Sequence, residues 1–216
     1  MLHQILTTVE HHHARLVAVS KTHPVEKILQ VYQEGQRVFG ENRPQEMLDK
    51  HPALPADIQW HMIGHLQTNK VKYIAPFVAM IHSVDSLKLL QEIDRQAQKH
   101  NRIIDCLLQF HIAQEESKFG LDEAEAIQLM SSPEYAALKN VRICGVMGMA
   151  TFSDNQQLVR QEFRQLKGIF DRLKVRFFAQ NDHFKEISMG MSGDWEIALE
   201  EGSTLVRIGS LIFGSR

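Results

Sequence analysis

Cysteine is scarce in this sequence: the 216 residues contain two, Cys106 and Cys144, and each lies within an apolar run. Small disulfide-bonded proteins use many more, so we expect two buried, reduced thiols and no disulfide framework. The N-terminal stretch MLHQILTTVEHHH lacks the cationic start and apolar centre of a secretory signal, and no apolar segment approaches membrane-spanning length. These absences predict a cytoplasmic protein that does not associate with a membrane.

The sequence also lacks an excess of charge of either sign. Lysine and arginine number 24 and aspartate and glutamate 26, which gives a formal net charge of −2 with neutral histidine. The charges are interspersed, with no basic block of the kind that binds the phosphates of a nucleic acid. We therefore expect no nucleic-acid partner.

Twelve histidines raise the question of a metal site. His11–His13 are consecutive, and adjacent side chains on a helix point in different directions, so they do not converge on one ion. His61 and His65 are four residues apart but lack the neighbouring glutamate of a zinc-hydrolase helix, and Gly64 disfavours a helix there. The pattern predicts solvated or hydrogen-bonded histidines and no metal ion.

Short apolar runs alternate with longer helical patterns along the whole chain. Several runs are rich in Val and Ile without clean alternation, which is typical of parallel strands covered on both faces. The predicted strands are Leu16–Ser20, Val38–Glu41, Gln59–Ile63, Met80–Val84, Ile104–His111, Ile143–Met147, Glu186–Met189 and Leu205–Ile208.

Helical patterns separate these runs. One opens with Pro24 and stops at Gly35, another has Ser86 as its N-cap, and the longest starts from a Ser153/Asp154 cap. Shorter helices are predicted to follow four further residues: Arg43, Gln67, Leu121 and Ser192.

Eight strand–helix units in succession, with no linker between them, define the expected fold. Six or seven units would leave an open doubly wound sheet, whereas eight right-handed crossovers close more naturally into a barrel. We therefore predict an α/β protein of one domain, residues 1–216, folded as a single (β/α)8 TIM barrel.

Lys21 ends the first predicted strand, in the stretch LVAVSKT. In a barrel the βα loops gather at the carboxyl ends of the strands, which is where active sites lie. Lys21 is then either the first solvated residue of a loop or a partly desolvated amine at the barrel mouth. Desolvation disfavours the ammonium form and yields a neutral amine able to form a Schiff base.

Two glycine-containing loops follow the seventh and eighth strands. SMGMSGDWEIAL passes through Gly190 into a helix expected to begin near Ser192, and VRIGSLIFG passes through Gly209 and Ser210 into a last short helix. Loops at these two strand ends are the usual phosphate site of the fold, although glycines also make ordinary turns.

Arg207 lies in the eighth strand, within the otherwise apolar segment LVRIG. A buried guanidinium must be paired, so it either binds a ligand or forms a salt bridge with a carboxylate such as Glu41. An amine, a phosphate cradle and a cation around one barrel mouth together suit pyridoxal 5′-phosphate (PLP). Its aldehyde would bond Lys21, and Arg207 would face its pyridine nitrogen.

Four ordered stretches carry a resemblance to a known family: AVSKTHPVEKI, FGENRPQE, WHMIGHLQTNK and SMGMSGDWEIALEEGSTLVRIGSLIFG. They resemble, in order and spacing, the YggS/PROSC family of PLP homeostasis proteins, and the likeness covers nearly the whole chain. The resemblance implies a barrel similar to the N-terminal domain of alanine racemase, with PLP on Lys21. One departure is that only about fifteen residues precede the first strand, where the family has a longer helix.

The family pattern also implies the remaining contacts of the cofactor. Arg207 faces the pyridine nitrogen, and Asn42 of the GEN motif lies close to PLP. The residues that the resemblance implies for the phosphate are Ser188, Ser192, Gly209 and Ser210.

Three functions compete at this point. The first is a carrier that holds PLP, supplies PLP-dependent apo-enzymes and is expected to be a monomer with little catalysis. The second is a PLP-dependent amino-acid racemase, which needs a second acid or base that alanine racemases take as a tyrosine from another domain. Tyr32, Tyr73 and Tyr135 all lie in helical stretches, and no residues for that domain follow Arg216. The third is a barrel that binds a sugar phosphate, with Lys21 as an aldolase-type lysine.

Overall fold

Eight parallel strands close into one barrel in the order of the chain, and the last strand pairs with the first. The computed structural model describes residues 1–114 and 119–214. The strands are β1 Arg15–Val19, β2 Val38–Glu41, β3 Gln59–Met62, β4 Met80–Val84, β5 Ile104–Phe110, β6 Val141–Gly148, β7 Glu186–Ser188 and β8 Leu205–Ile208. The predicted (β/α)8 barrel is confirmed, and each predicted strand limit lies within two residues of the observed one.

Helices connect the strands and surround the barrel. The α-helices in the described ranges are α1 Leu2–His11, α2 Val25–Gln33, α3 Pro44–Lys50, α4 Val71–Ile74, α5 Leu87–Lys99, α6 Glu123–Met130, α7 Pro133–Ala136, α8 Gln156–Phe177, α9 Trp195–Glu200 and α10 Ser210–Phe213. Single 3₁₀ turns span His51–Ala53 and Thr68–Lys70. Among residues 1–114 and 119–214, no helix combines the length and apolar character needed to cross a membrane.

Two predicted helix starts are wrong. Asn155, rather than Ser153 or Asp154, caps α8, because its side chain accepts hydrogen bonds from the backbone N–H groups that follow it. The helix expected near Ser192 begins at Trp195 instead. Asp194 Oδ1 accepts from the backbone N–H of Met191 at 2.5 Å, and this contact makes residues 191–194 a turn.

Two apolar layers hold the fold together. A small cluster fills the inside of the barrel, and a larger one lies between the strands and the surrounding helices. The inner cluster consists of Val17, Met80, Leu107, Cys144, Met147 and Leu205. Because both faces of the strands are covered, their sequences read as continuous apolar runs, which explains the missing alternation.

The short N-terminal segment forms a helix despite its length. Leu2, Ile5 and Val9 recur at helical spacing on α1, and all three are buried. The N-terminal end of the barrel nevertheless stays open, since a cavity of about 670 Å³ lies there between residues that include Arg15 and His61.

Candidate functional site

A cavity of about 640 Å³ lies at the carboxyl ends of the strands, where active sites of this fold occur. Its wall contains six of the seven residues predicted for the site: Lys21, Asn42, Ser192, Arg207, Gly209 and Ser210. Met149, Thr151, Phe152, Asp154 and His23 also line it, and none of them was predicted as a site residue from the sequence. The barrel therefore brings together residues that are up to 189 positions apart, from Lys21 to Ser210.

Lys21 stands just past β1 and is half-buried, with its side chain in the wall of this mouth cavity. The residue before it, Ser20, is fully buried. The residue after it, Thr22, has a φ of 68°, in the left-handed region that a β-branched residue rarely adopts. Contacts with other parts of the chain must therefore hold the backbone of Thr22 in this conformation.

A buried cluster behind β1 and β2 supplies those contacts. Lys50 Nζ, on α3, donates to the Ser20 carbonyl oxygen at 2.8 Å. It also donates to Glu41 Oε1 at 2.8 Å and Glu46 Oε1 at 2.6 Å. Ser20 Oγ donates to Glu41 Oε1 at 2.6 Å, and the Thr22 backbone N–H donates to Glu46 Oε1 at 2.5 Å. We call Glu41, Glu46 and Lys50 the clamp, because together they bind both residues that flank Lys21.

Glu41 is the most deeply buried member of the clamp, so its charge carries the largest desolvation cost. Burial raises the pKa of its carboxyl, while hydrogen bonds from Lys50 and Ser20 oppose that shift. Glu41 Oε2 is buried and has no hydrogen-bond partner among the described residues. The alternative in which Glu41 pairs with Arg207 is wrong, because Glu41 is held by Lys50 in the layer outside the barrel.

Arg207 is buried inside the barrel, with 4% of its surface exposed, and lines the mouth cavity. Its Nη1 donates to Ser188 Oγ at 2.6 Å, and its Nη2 donates to the Gly148 carbonyl oxygen at 3.1 Å. Burial lowers the pKa of its guanidinium to about 10, so the group stays charged at neutral pH.

Ser188 is the predicted site residue that the structure places elsewhere. It lies in β7 with no exposed surface and does not line the mouth cavity. Its hydroxyl accepts from Arg207 and lies 2.9 Å from His82 Nδ1. We therefore do not retain Ser188 as a phosphate ligand. Its position in the SMGMS motif suggested one, but strand alternation points it into the barrel core.

The two predicted phosphate loops meet at the opposite side of the cavity. Gly190 has a φ of 91°, and a Cβ there would lie 2.5 Å from Ala198 Cβ, so only glycine fits. The Gly209 backbone N–H donates to Ser192 Oγ at 3.3 Å and joins the loops. In the part of the chain that the structure describes, four backbone N–H groups here have no acceptor: those of Ser192, Gly193, Ser210 and Leu211.

Asn42 completes the predicted set. It follows β2, and its backbone is packed so tightly against Gly64 that a Cβ on that glycine would lie 2.4 Å from the Asn42 carbonyl oxygen. The turn after β3 therefore fixes Asn42 at the cavity wall.

His61 and His65, the pair considered above as metal ligands, lie in different surroundings. His61 Nδ1 lies 2.9 Å from His82 Nε2 inside the barrel, whereas His65 pairs with Asp85 at 3.3 Å and stacks on Phe119. Within residues 1–114 and 119–214, no group of three or more His, Cys, Asp or Glu side chains is arranged to hold a metal ion.

Sequence reasoning missed the clamp and His82. The i,i+4 spacing of Glu46 and Lys50 was the available signal, but it is equally typical of an exposed helical ion pair. Only the packing of α3 against the ends of β1 and β2 shows that Lys50 is buried.

The barrel and its mouth define the class of protein. Residues 1–216 match the family model of the alanine racemase N-terminal domain. The pyridoxal phosphate homeostasis protein of Aquifex aeolicus is 43% identical over 94% of this chain and 87% of its own length. The protein of the same name from Homo sapiens is 38% identical over 94% of this chain and 76% of its own length.

Solved structures agree with these relatives. PipY of Synechococcus elongatus, determined with PLP bound, has a TM-score of 0.87 and 33% identity, covering 99% of this chain and 100% of its own. The chain belongs to the family of pyridoxal phosphate homeostasis proteins.

The clamp gives a stability prediction. Lys50→Met leaves two carboxylates without their buried cation, so the free energy of unfolding should fall by about 3–5 kcal/mol at neutral pH. Without Lys50 the folded pKa of Glu41 rises further above its unfolded value of 4.5. The loss should therefore appear as pH rises through 4.5 and shrink below it, where Glu41 is protonated in both states. Urea denaturation across this pH range measures it.

Lys167→Met is the matched control, because Lys167 pairs with Asp171 at the same i,i+4 spacing but is 40% exposed. Its effect should stay below about 1 kcal/mol with no pH trend. Equal losses for the two variants would contradict the clamp.

Proposed function

We propose that this protein binds PLP covalently through Lys21 and acts in intracellular PLP homeostasis, with little or no catalysis. The observation that carries the proposal is the mouth cavity, whose wall combines Lys21, Arg207 and the backbone N–H groups of Ser192, Gly193 and Ser210, which have no acceptor among the described residues. Family membership favours PLP over a sugar phosphate, and a relative of equal size was solved with PLP bound.

The donor set fits the cofactor group by group. When bound, PLP supplies an aldehyde that condenses with amines, a phosphate and a pyridine ring that withdraws electrons. The amides and hydroxyls of Ser192 and Ser210 match a phosphate, which needs several donors. Arg207 matches the ring nitrogen, and Lys21 matches the aldehyde.

Lys21 has the placement that a covalent attachment needs. Its half-buried side chain lies in the cavity, and the clamp fixes the peptide groups on either side of it. Condensation of the Lys21 amine with the aldehyde would form a Schiff base and release one water, and hydrolysis would reverse it. A reversible bond suits a protein that holds and then delivers its ligand.

Arg207 supports the expectation of weak catalysis. A guanidinium only donates hydrogen bonds, so it stabilises a ring nitrogen that has no proton of its own. An unprotonated ring withdraws electrons less well, and a carbanion next to it is stabilised less.

The racemase alternative also lacks a second acid or base of the expected kind. Tyr32 donates to Asp57 at the surface, Tyr135 lies on α7, and Tyr73 lies on α4. None of the three tyrosines lines the mouth cavity. A two-base reaction needs a proton donor on each face of the substrate.

We further propose that the protein works as a monomer and supplies PLP-dependent apo-enzymes. The mouth cavity is complete within one chain, so no second copy is needed to form it.

The covalent attachment is the first prediction of this proposal. Borohydride reduction of the protein loaded with PLP, followed by peptide mass analysis, should find the pyridoxyl group on the Lys21 peptide. Lys21→Ala should lose the yellow colour, and Lys70→Ala should keep it. A label on the Lys70 peptide would overturn the assignment.

The phosphate loops predict a preference between vitamers. Pyridoxal should bind at least a hundredfold more weakly than PLP, because it loses several hydrogen bonds to a charged group, each worth roughly 1.5–3 kcal/mol. Ser192→Ala should narrow the difference. Ser153→Ala, which alters another hydroxyl residue of the same cavity, should not. Equal affinities for both vitamers would mean that the loops are ordinary turns.

The lack of catalysis predicts slow exchange at the substrate carbon. The loaded protein is incubated with L-alanine in deuterium oxide, and the Cα proton is followed by NMR, with an alanine racemase as the positive control. We expect little or no exchange. Turnover on the order of one per second or faster, an ordinary enzyme rate, would restore the racemase.

A further inference from the structure

Four polar side chains form a continuous hydrogen-bonded chain through the inside of the barrel. Arg207 Nη1 lies 2.6 Å from Ser188 Oγ, which lies 2.9 Å from His82 Nδ1. His82 Nε2 in turn lies 2.9 Å from His61 Nδ1. All four are buried, with no more than 4% of any one exposed, and they come from β8, β7, β4 and β3. We call this set the relay.

The direction of donation along the relay follows from what each group is able to do. Arg207 only donates, so the Ser188 oxygen accepts from it, and within the described residues the other group at hydrogen-bond distance from that oxygen is His82 Nδ1. Because the Ser188 hydroxyl is fully buried and its hydrogen needs an acceptor, it donates to His82 Nδ1. His82 then carries its proton on Nε2 and donates to His61 Nδ1. His61 in turn carries its proton on Nε2. In this arrangement each hydrogen bond is donated in the direction from Arg207 towards His61, and each of the three contacts joins one donor to one acceptor.

Protonation of either histidine would break the arrangement. Burial lowers the pKa of His82 well below its usual value, and His61, Arg207 and Arg15 add to the effect. Burial and Arg15 lower the pKa of His61 to about 3. A charged His82 would donate from both nitrogens, so the hydroxyl hydrogen of Ser188 would lose its acceptor at His82 Nδ1.

The lower end of the relay lies at the open N-terminal end of the barrel. His61 lines the second cavity together with other ionisable groups: His13, Arg15, Asp105, Arg142, Cys144, His183, Lys185 and Glu186. Arg15 pairs with Glu186 and Arg142 with Asp105, each at 2.7 Å. The charges facing His61 are thus largely balanced within the wall.

We propose that Ser188, His82 and His61 are positioning residues. They hold Arg207 in one orientation, in which its guanidinium donates towards the ring nitrogen of the cofactor. They lie outside the cofactor contact and act only through Arg207. The direction of donation along the relay follows from its own hydrogen bonds. The effect of the relay on the ring nitrogen rests on the proposed PLP function.

The first test needs no cofactor. Long-range ¹H–¹⁵N NMR of the labelled, cofactor-free protein reports which ring nitrogen of each histidine carries the proton. We expect both His82 and His61 to be neutral and protonated on Nε2, with no titration between about pH 5 and pH 8. A proton on His82 Nδ1, or titration of His82 in that range, would overturn the relay.

The second test uses Ser188→Ala with two ligands: PLP and its deaza analogue, in which a C–H group replaces the ring nitrogen. Losing one partner of a charged donor should weaken PLP binding on the order of tenfold. The deaza analogue offers Arg207 no acceptor, so its affinity should change much less. Equal losses for both ligands would show that Ser188 only supports the fold and would overturn the positioning role.

Ser83→Ala is the matched control, since Ser83 neighbours His82 in β4 and is fully buried. Its hydroxyl has no hydrogen-bond partner among the described residues, so the change should leave both affinities unaltered. If the unaltered protein binds neither ligand, the proposed function fails while the NMR result still decides the relay. The same NMR result decides it if Ser188→Ala does not fold.

Discussion

The hydrogen bond from Arg207 to Ser188 is the interaction on which the site depends. A guanidinium inside a barrel is tolerated only where acceptors meet it, and here they come from β6 and β7. The hydroxyl hydrogen of Ser188 needs an acceptor as well, which His82 provides, and His82 in turn contacts His61. One buried cation thus accompanies three further polar side chains of the barrel interior: Ser188, His82 and His61.

A second buried cation lies on the other side of the strands. Lys50 occupies the layer between barrel and helices, where its three acceptors hold the residues on either side of Lys21. Strand alternation separates the two systems, because neighbouring residues of a strand point to opposite faces. One cation therefore lines the mouth cavity, and the other holds the backbone on either side of Lys21.

The two arrangements favour holding a ligand over transforming it. In the proposed complex, Arg207 offers N–H donors to the ring nitrogen, where a strong catalyst of carbanion chemistry would have an acidic side chain. The three tyrosines do not line the mouth cavity. The loops that join at Ser192 and Gly209 present backbone amides that would suit the phosphate of the proposed cofactor. Together with the proposed reversible bond to Lys21, such a cradle would suit the storage and delivery of PLP.

The sequence by itself determined the barrel, because the apolar periods of eight strands and their intervening helices are local features that survive in any packing. It also predicted five residues of the mouth cavity, since the ends of parallel strands meet at one edge, and the family resemblance added Asn42. Only the tertiary structure decided the direction of Ser188, the burial of Lys50 and the partners of His61 and His82. Those depend on which face of a strand or helix meets which neighbour, and a one-residue difference in alternation reverses the answer.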